Sequence, residues 1–235
     1  MSPEQLAAEL DRALRRHTNR ERQAATAGYY PSAMENLGVY AADLRAVERT
    51  LRPALKTQPA AFVLRFVGAV LARNTLEGRQ AVYELLAWHK AARESLDCAT
   101  LEELGRGMDN WASVDCFSCE LSGPAWREGR IKDSDIARWT HSRDIWWRRA
   151  ALVSTVPLNL AARGGQGDTP RTLAVCERLA ADREPMVAKA SSWALRALVT
   201  RDAAAVREFL ASHDNLPALV RREVTRKLTT GRKNG

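Results

Sequence analysis

The chain is short of residues that bend or break a backbone. Its 235 residues include 13 glycines and 9 prolines, too few for collagen, flexible linkers or most turn-rich all-β folds. Cysteine is scarce too. Four thiols without a secretory signal read as reduced side chains in a cytosol, not as a disulfide framework. No apolar run approaches the roughly 18 residues that cross a bilayer. The opening MSPEQLAAELDRALRRH is charged throughout, unlike a signal peptide. Phenylalanine is also uncommon, with four against seven tryptophans. What remains is an ordinary globular composition, 46% hydrophobic and 27% charged, too apolar for disorder. A domain of this size can bury about 70% of its unfolded surface, which makes a core without disulfides or metal.

The charge is one-sided. Lys and Arg number 36 against 28 acids, a net charge of +8. An excess of that sign favours a polyanionic partner. It is concentrated in the second half. From Arg138 to Arg163 there are five arginines and one acid, Asp144, and residues 201–235 hold eight basic residues against four acids.

Apolar residues recur at spacings of three and four almost everywhere, and Ala, Leu, Arg and Glu dominate. The pattern predicts helices over 3–16, 18–28, 41–55, 58–72, 76–94, 99–107, 109–122, 132–140, 143–161, 170–182, 185–200, 202–211 and 215–230. Ser2-Pro3-Glu4-Gln5, Thr169-Pro170 and Glu184-Pro185 are start signals. Arg163-Gly164-Gly165-Gln166-Gly167-Asp168 reads as a flexible loop, and Tyr29 to Asn36 as a second irregular stretch.

A weak repeat runs through the second half, with long helices expected near Arg143, Pro185 and Leu216, each preceded by a shorter one. Two helices per 30 to 45 residues suggest HEAT-like stacking into an all-α solenoid with a concave surface. No boundary is sharp enough to divide the chain. A single domain over 1–235 is expected, with helices in 1–28 as a cap and a loose tail over 229–235.

At 100° per residue, Val114, Phe117 and Leu121 form the core stripe of helix 109–122, and Trp111, Asp115, Ser118 and Ser122 a second stripe. Helix 185–200 turns Val187, Ser191, Ala194 and Leu198 inward, with Lys189, Trp193, Arg196 and Thr200 on another side. That stripe is aromatic and cationic, which suits a polyanion. Arg149 falls among Ile145, Leu152, Val153 and Val156 and needs an anionic partner, either a carboxylate such as Asp115 or a phosphate. Trp88, Trp126, Trp139, Trp146 and Trp147 read as core.

Asn110-Trp111-Ala112-Ser113-Val114-Asp115, Trp146-Trp147-Arg148-Arg149-Ala150-Ala151 and Lys189-Ala190-Ser191-Ser192-Trp193-Ala194-Leu195-Arg196 resemble the three signature helices of the AlkD-like DNA alkylation repair proteins. Leu37 to Arg45 is similar to that family's Gly-Val turn. The resemblance spans roughly residues 25 to 228. It implies a HEAT-like solenoid that grips duplex DNA in a concave, basic groove and excises cationic N3- and N7-alkylated purines without a base-flipping pocket. By motif, Trp111, Trp193 and Asp115 would contact the lesion's deoxyribose and phosphates. Arg149, or its neighbour Arg148, would anchor a phosphate. Tyr29 would face the site, and Lys189 and Arg196 would add salt-dependent affinity. The first motif has Asn110-Trp111-Ala112 where relatives often carry Trp-Trp-Asp, and the glycines at 164–167 look inserted.

The expectation is a monofunctional glycosylase, monomeric, in a bacterial cytoplasm and on the nucleoid when bound, with no metal, cofactor or membrane partner. Cys116-Phe117-Ser118-Cys119 lacks a second ligand pair for zinc, and no Ser-His-Asp set or phosphate-binding glycine loop stands out. The alternatives are a non-catalytic HEAT-repeat DNA-binding module and a protein-interaction scaffold.

Overall fold

A computed structural model describes residues 1–29 and 31–232. Among them there is no strand, only an isolated parallel bridge between Glu35 and Thr75. The chain forms two compact units, Met1–Leu121 and Ser122–Gly235.

The first unit holds α1 (Pro3–Arg15), α2 (Arg20–Ala27), α3 (Ala41–Leu55), α4 (Ala60–Leu71), α5 (Leu76–Trp88), α6 (Lys90–Glu94), α7 (Cys98–Gly105) and α8 (Trp111–Phe117). α1 begins where the sequence signals it. Ser2 Oγ accepts the Gln5 N–H, and Gln5 Oε1 accepts the Ser2 N–H, which satisfies two groups that a helix start leaves open. Leu6, Leu10 and Leu14 then bury one stripe of α1 against α4. α4 also packs on α5, and α5 packs on α3 and α8, around Phe66, Tyr83, Leu86 and Phe117. The expected helix 76–94 is two helices, because His89 turns extended between α5 and α6. Its Nδ1 accepts the Ala92 N–H, capping α6, and its Nε2 meets the Leu55 carbonyl at 3.1 Å.

The segment before α3 is held by a buried carboxylate. Glu77 accepts the N–H groups of Leu37 and Val39. Between them Gly38 has φ +70°, and a Cβ there would stand 2.4 Å from the Asn19 carbonyl oxygen, so glycine is required.

The second unit holds α9 (Gly123–Arg127), α10 (Asp133–Thr140), α11 (Ile145–Val153), α12 (Val156–Asn159), α13 (Thr169–Arg178), α14 (Pro185–Val199), α15 (Ala203–Ser212) and α16 (Ala218–Thr230). α10 packs on α11, α13 on α14 and α15 on α16, and α14 lies against both α11 and α16. This is helical-repeat packing, with long helices starting at Ile145, Pro185 and Ala218, near the expected positions. The expected helix 143–161 breaks before α12. Pro157 has no N–H to continue the ladder, while the Ser154 and Thr155 hydroxyls bond back to the Ala150 and Leu152 carbonyls.

The glycine segment expected to be flexible is tied down. The Gly165 and Gly167 N–H groups donate to Leu160 and Leu158 carbonyls. Arg201 Nη2 donates to the Gly165 carbonyl at 2.7 Å. A Cβ on Gly165 would meet the Pro157 oxygen at 2.5 Å, so its glycine serves close approach. Of the expected loose tail, Thr229 and Thr230 complete α16, and residues 233–235 lie outside the described residues, as does Tyr30 in the irregular stretch after α2. Trp126 and Trp139 are buried as expected. Trp88, Trp146 and Trp147 are half-buried and are not core. Trp147 stacks at a tilt on Trp139, 4.9 Å between centroids.

One core residue is under electrostatic strain. Glu48 on α3 is wholly buried, and neither carboxylate oxygen has a hydrogen-bond partner. Burial first, and then the charge of Glu84, push its carboxyl up to about 8, against the weaker pull of Arg52 and Arg45. The native state therefore keeps a proton that the unfolded chain releases above the ordinary glutamate range. Stability falls as pH rises through that window, until the native carboxyl itself ionises near pH 8. Glu48→Gln removes this decline. In urea unfolding at pH 5 and pH 8, the wild type is expected to lose stability from this group by roughly 1–4 kcal/mol, and the variant to lose correspondingly less.

Candidate active site and nucleic-acid interface

In the first unit the site is organised by the start of α8. Asn110 is its N-cap, with Oδ1 accepting the Ser113 N–H at 3.0 Å, which places Trp111 at the first helical position. The indole Nε1–H donates to the Tyr29 carbonyl at 3.0 Å. The Tyr29 ring meets the indole edge-on, with centroids 5.1 Å apart and planes at 84°. Tyr29 is 65% exposed, and Trp111 is half-buried. The pair is therefore fixed in orientation yet open to solvent.

Asp115 lies one helical turn beyond Trp111, where i and i+4 side chains are neighbours, and it too is half-buried. The rest of the expected stripe does not follow. Ser118 and Ser122 are fully buried, and at Ser118 α8 passes into a five-residue π-helical turn, Ser118–Ser122. A π turn widens the spiral and shifts every later side chain round the axis, so an α-helical wheel stops applying there.

In the second unit the two adjacent arginines of α11 separate cleanly. Arg148 Nε donates to Asp182 Oδ2 at 2.8 Å, and Nη1 donates to the Ser142 and Arg143 carbonyls. Arg149 is 5% exposed, and its Nη1 donates to the Met186 carbonyl in the first turn of α14 at 2.6 Å. Both side chains thus bind the turn that leads into α14. Asp182 also accepts the N–H of Glu184, the residue that begins α14.

α14 carries Lys189, Trp193 and Arg196 on one side, as the helical angles predict. Lys189 is exposed and, among the described residues, makes no ion pair; Trp193 is half-buried. Arg196 is bound within the protein. Its Nε donates to Ser192 Oγ at 3.1 Å and lies 3.7 Å from Glu223. Burial lowers its pKa, with the Glu223 charge opposing. Glu223 on α16 also accepts the Ser192 hydroxyl at 2.6 Å.

Sequence reasoning misses Asp109 and Asn110, which stand behind Trp111, and Asp182, the partner of Arg148. Asp109-Asn110 before Trp111 is itself a helix-start signal, hidden when the helix is drawn from 109. Among the described residues, no group of three or more His, Cys, Asp or Glu is placed to hold a metal ion, and no helix is long and apolar enough to cross a membrane.

An all-helical repeat fold with a solvent-facing tryptophan and a carboxylate one turn away narrows the class to helical-repeat proteins. Residues 10–228 match the family of DNA alkylation repair enzymes, and the chain belongs to that family. Among solved structures, it is similar to a predicted DNA alkylation repair enzyme from Enterococcus faecalis. The TM-score is 0.74 at 18% identity, covering 91% of this chain and 98% of the other. The chain matches none of the curated proteins.

The contacts of Arg148 make a stability prediction. Its side chain and that of Asp182 are 19% and 14% exposed, so their hydrogen bond is shielded from water. Asp182→Asn and Arg148→Met are each expected to lower the unfolding free energy by about 1–3 kcal/mol. Together they should cost clearly less than the sum, as measured by urea denaturation. Full additivity would show that the two side chains are not coupled.

Proposed function

We propose that the protein is a DNA glycosylase that hydrolyses the N-glycosidic bond of cationic N3- or N7-alkylated purines in duplex DNA. The observation that carries this reading is the α8 surface: an indole anchored by its N–H, open to solvent, with a carboxylate one turn along the same helix.

The chemistry suits so few groups. A purine alkylated at N7 or N3 already bears a positive charge, so it leaves as a neutral base without being protonated. As the C1′–N9 bond breaks, its electron pair returns to the ring and the sugar becomes oxocarbenium-like. Asp115 stabilises that cation electrostatically and orients the water that adds to C1′. The abasic site, the free base and one proton are the products. The faces of Trp111 and Tyr29 hold the deoxyribose and attract its cationic character, each by about 0.5–2 kcal/mol.

In the second unit, Lys189 contacts a backbone phosphate of the duplex, and Trp193, on the same side of α14, contacts the DNA backbone. Arg148 and Arg149, and Arg196 through Glu223 of α16, hold α14, so that these two side chains are presented in a fixed register. Affinity for duplex DNA should then fall as salt rises, which a protein-interaction scaffold would not show.

The test is release of 7-methylguanine and 3-methyladenine from methylated duplex DNA under single-turnover conditions. Asp115→Asn is expected to slow excision by about 100-fold or more and to leave affinity for undamaged duplex little changed. A variant as active as the wild type would remove the role given to Asp115. A wild type that binds duplex but releases neither base would favour the non-catalytic DNA-binding module.

A further inference from the structure

We infer that Asp109 is the positioning residue for the Tyr29–Trp111 pair, acting as a clamp between the chain that follows Tyr29 and the head of α8. This rests on the reading of Trp111 given above.

The need for a clamp follows from α2. Not one residue of that helix is buried, so no apolar face fixes Tyr29, which follows immediately after the helix ends at Gly28. Position must come from polar contacts. Two lie upstream: Gln23 Nε2 donates to the Asn36 carbonyl, and Asn36 Nδ2 donates to Thr26 Oγ1. They fasten α2 to residues 36–37 but do not touch α8.

The tie to α8 is made by Asp109. One carboxylate oxygen accepts the Ser32 hydroxyl and the other accepts the Ala33 N–H. The Ser32 oxygen in turn accepts from the Met34 N–H and the Asn110 side-chain amide. Asn110 Nδ2 also reaches Asp109 Oδ1, and its Oδ1 caps α8. Every donor in this knot has an acceptor, and the acceptor in the middle is a carboxylate. The chain from Ser32 to Ala33 is thereby locked to the residue two positions before Trp111. Three residues upstream, the Tyr29 carbonyl receives the indole N–H. Burial works against ionisation of Asp109, but Ser32, Ala33 and Asn110 outweigh it and hold the carboxyl below the usual range, in keeping with an acceptor surrounded by donors.

The geometry also explains why an amide would not substitute. Asn at 109 could accept at one oxygen only, and its NH₂ would face either the Ser32 hydroxyl or the Ala33 N–H. The clamp would lose one of its two jaws.

The experiment uses Asp109→Ala and Asp109→Asn, with Trp111→Phe as reference. The first readout needs no enzymatic activity. In a ¹H–¹⁵N spectrum, Trp111→Phe identifies the Trp111 indole signal. Its solvent exchange should accelerate about tenfold or more in Asp109→Ala, and less in Asp109→Asn, as expected when a local tie opens. The indole signals of the buried Trp126 and Trp139 should not change. The second readout is single-turnover excision. Asp109→Ala is expected to lose about 10- to 100-fold in rate with duplex affinity retained, the loss expected from misplacing a contact group. Combined with Trp111→Phe it should lose little beyond Trp111→Phe alone. Unchanged indole exchange, or losses that fully add to those of Trp111→Phe, would overturn the inference. A wild type with no excision would remove the glycosylase reading and leave the exchange measurement to decide the clamp. General unfolding, seen as faster exchange at Trp126 and Trp139, would assign Asp109 to stability and not to positioning.

Discussion

A helix that packs against two neighbours at once keeps only a narrow strip for chemistry, and α14 shows how strictly that constraint acts. It lies between α11 and α16. Val187, Ala188, Ala190, Ser191, Ser192, Ala194, Leu195, Ala197 and Leu198 are all buried. Many are alanine or serine, which lets neighbouring helices come close. Only Pro185, Met186, Lys189, Trp193, Arg196 and Val199 of the helix, and Thr200 at its end, keep appreciable exposure. In a repeat fold, then, the residues available to a ligand are set by packing before any ligand is considered. A large aromatic on the remaining strip is unusual, because burial is where an indole gains most.

The same constraint governs the charge. A guanidinium that cannot reach water must find acceptors. Arg79 donates to the Leu104 and Arg106 carbonyls and to the Tyr83 hydroxyl. Arg127 binds the Pro157 and Arg163 carbonyls, and even the exposed Arg201 binds those of Asn159 and Gly165. Arg148, Arg149 and Arg196 behave likewise. Much of the basic excess therefore stitches turns and helix ends together. A net charge of +8 overstates the cationic surface that a polyanion would meet. Lys189 is exposed and, among the described residues, makes no ion pair, so its charge stays at the surface.

How far the sequence can be read follows from which forces are local. Helical periodicity is local, so α1, α3, α10, α14 and α15 lie within a residue or two of the expected bounds. Breaks caused by side chains reaching the backbone are harder to see. His89, Ser154 and Thr155 are compatible with helix by propensity, and only their hydrogen bonds show where the ladder stops. The π turn at Ser118–Ser122 leaves no mark on composition at all, yet an α-helical wheel drawn through it no longer places Ser122, which is buried. Trp111, Asp115 and Trp193 are singled out by helical angle and motif together. Their supports are not. Ser32 and Ala33, which Asp109 binds, lie more than seventy residues away in sequence, and no spacing rule links them.

On the proposed reading, the division between visible and invisible residues has a chemical reason. A leaving group that is already cationic asks for neither a general acid nor a deep pocket, only for an anion and a nonpolar face held near C1′. Those two items fit on one turn of one helix, so they form a short motif. Electrostatic stabilisation depends steeply on distance and on being fixed before the bond breaks. A carboxylate on a mobile surface would relax toward water and lose most of its effect. The demand on the protein therefore shifts from supplying groups to immobilising them, and immobilisation is done by whatever polar atoms the fold brings within reach. In the first unit these are a serine, a backbone amide and a carboxylate gathered at the head of α8, none of which resembles catalytic chemistry when met in the sequence.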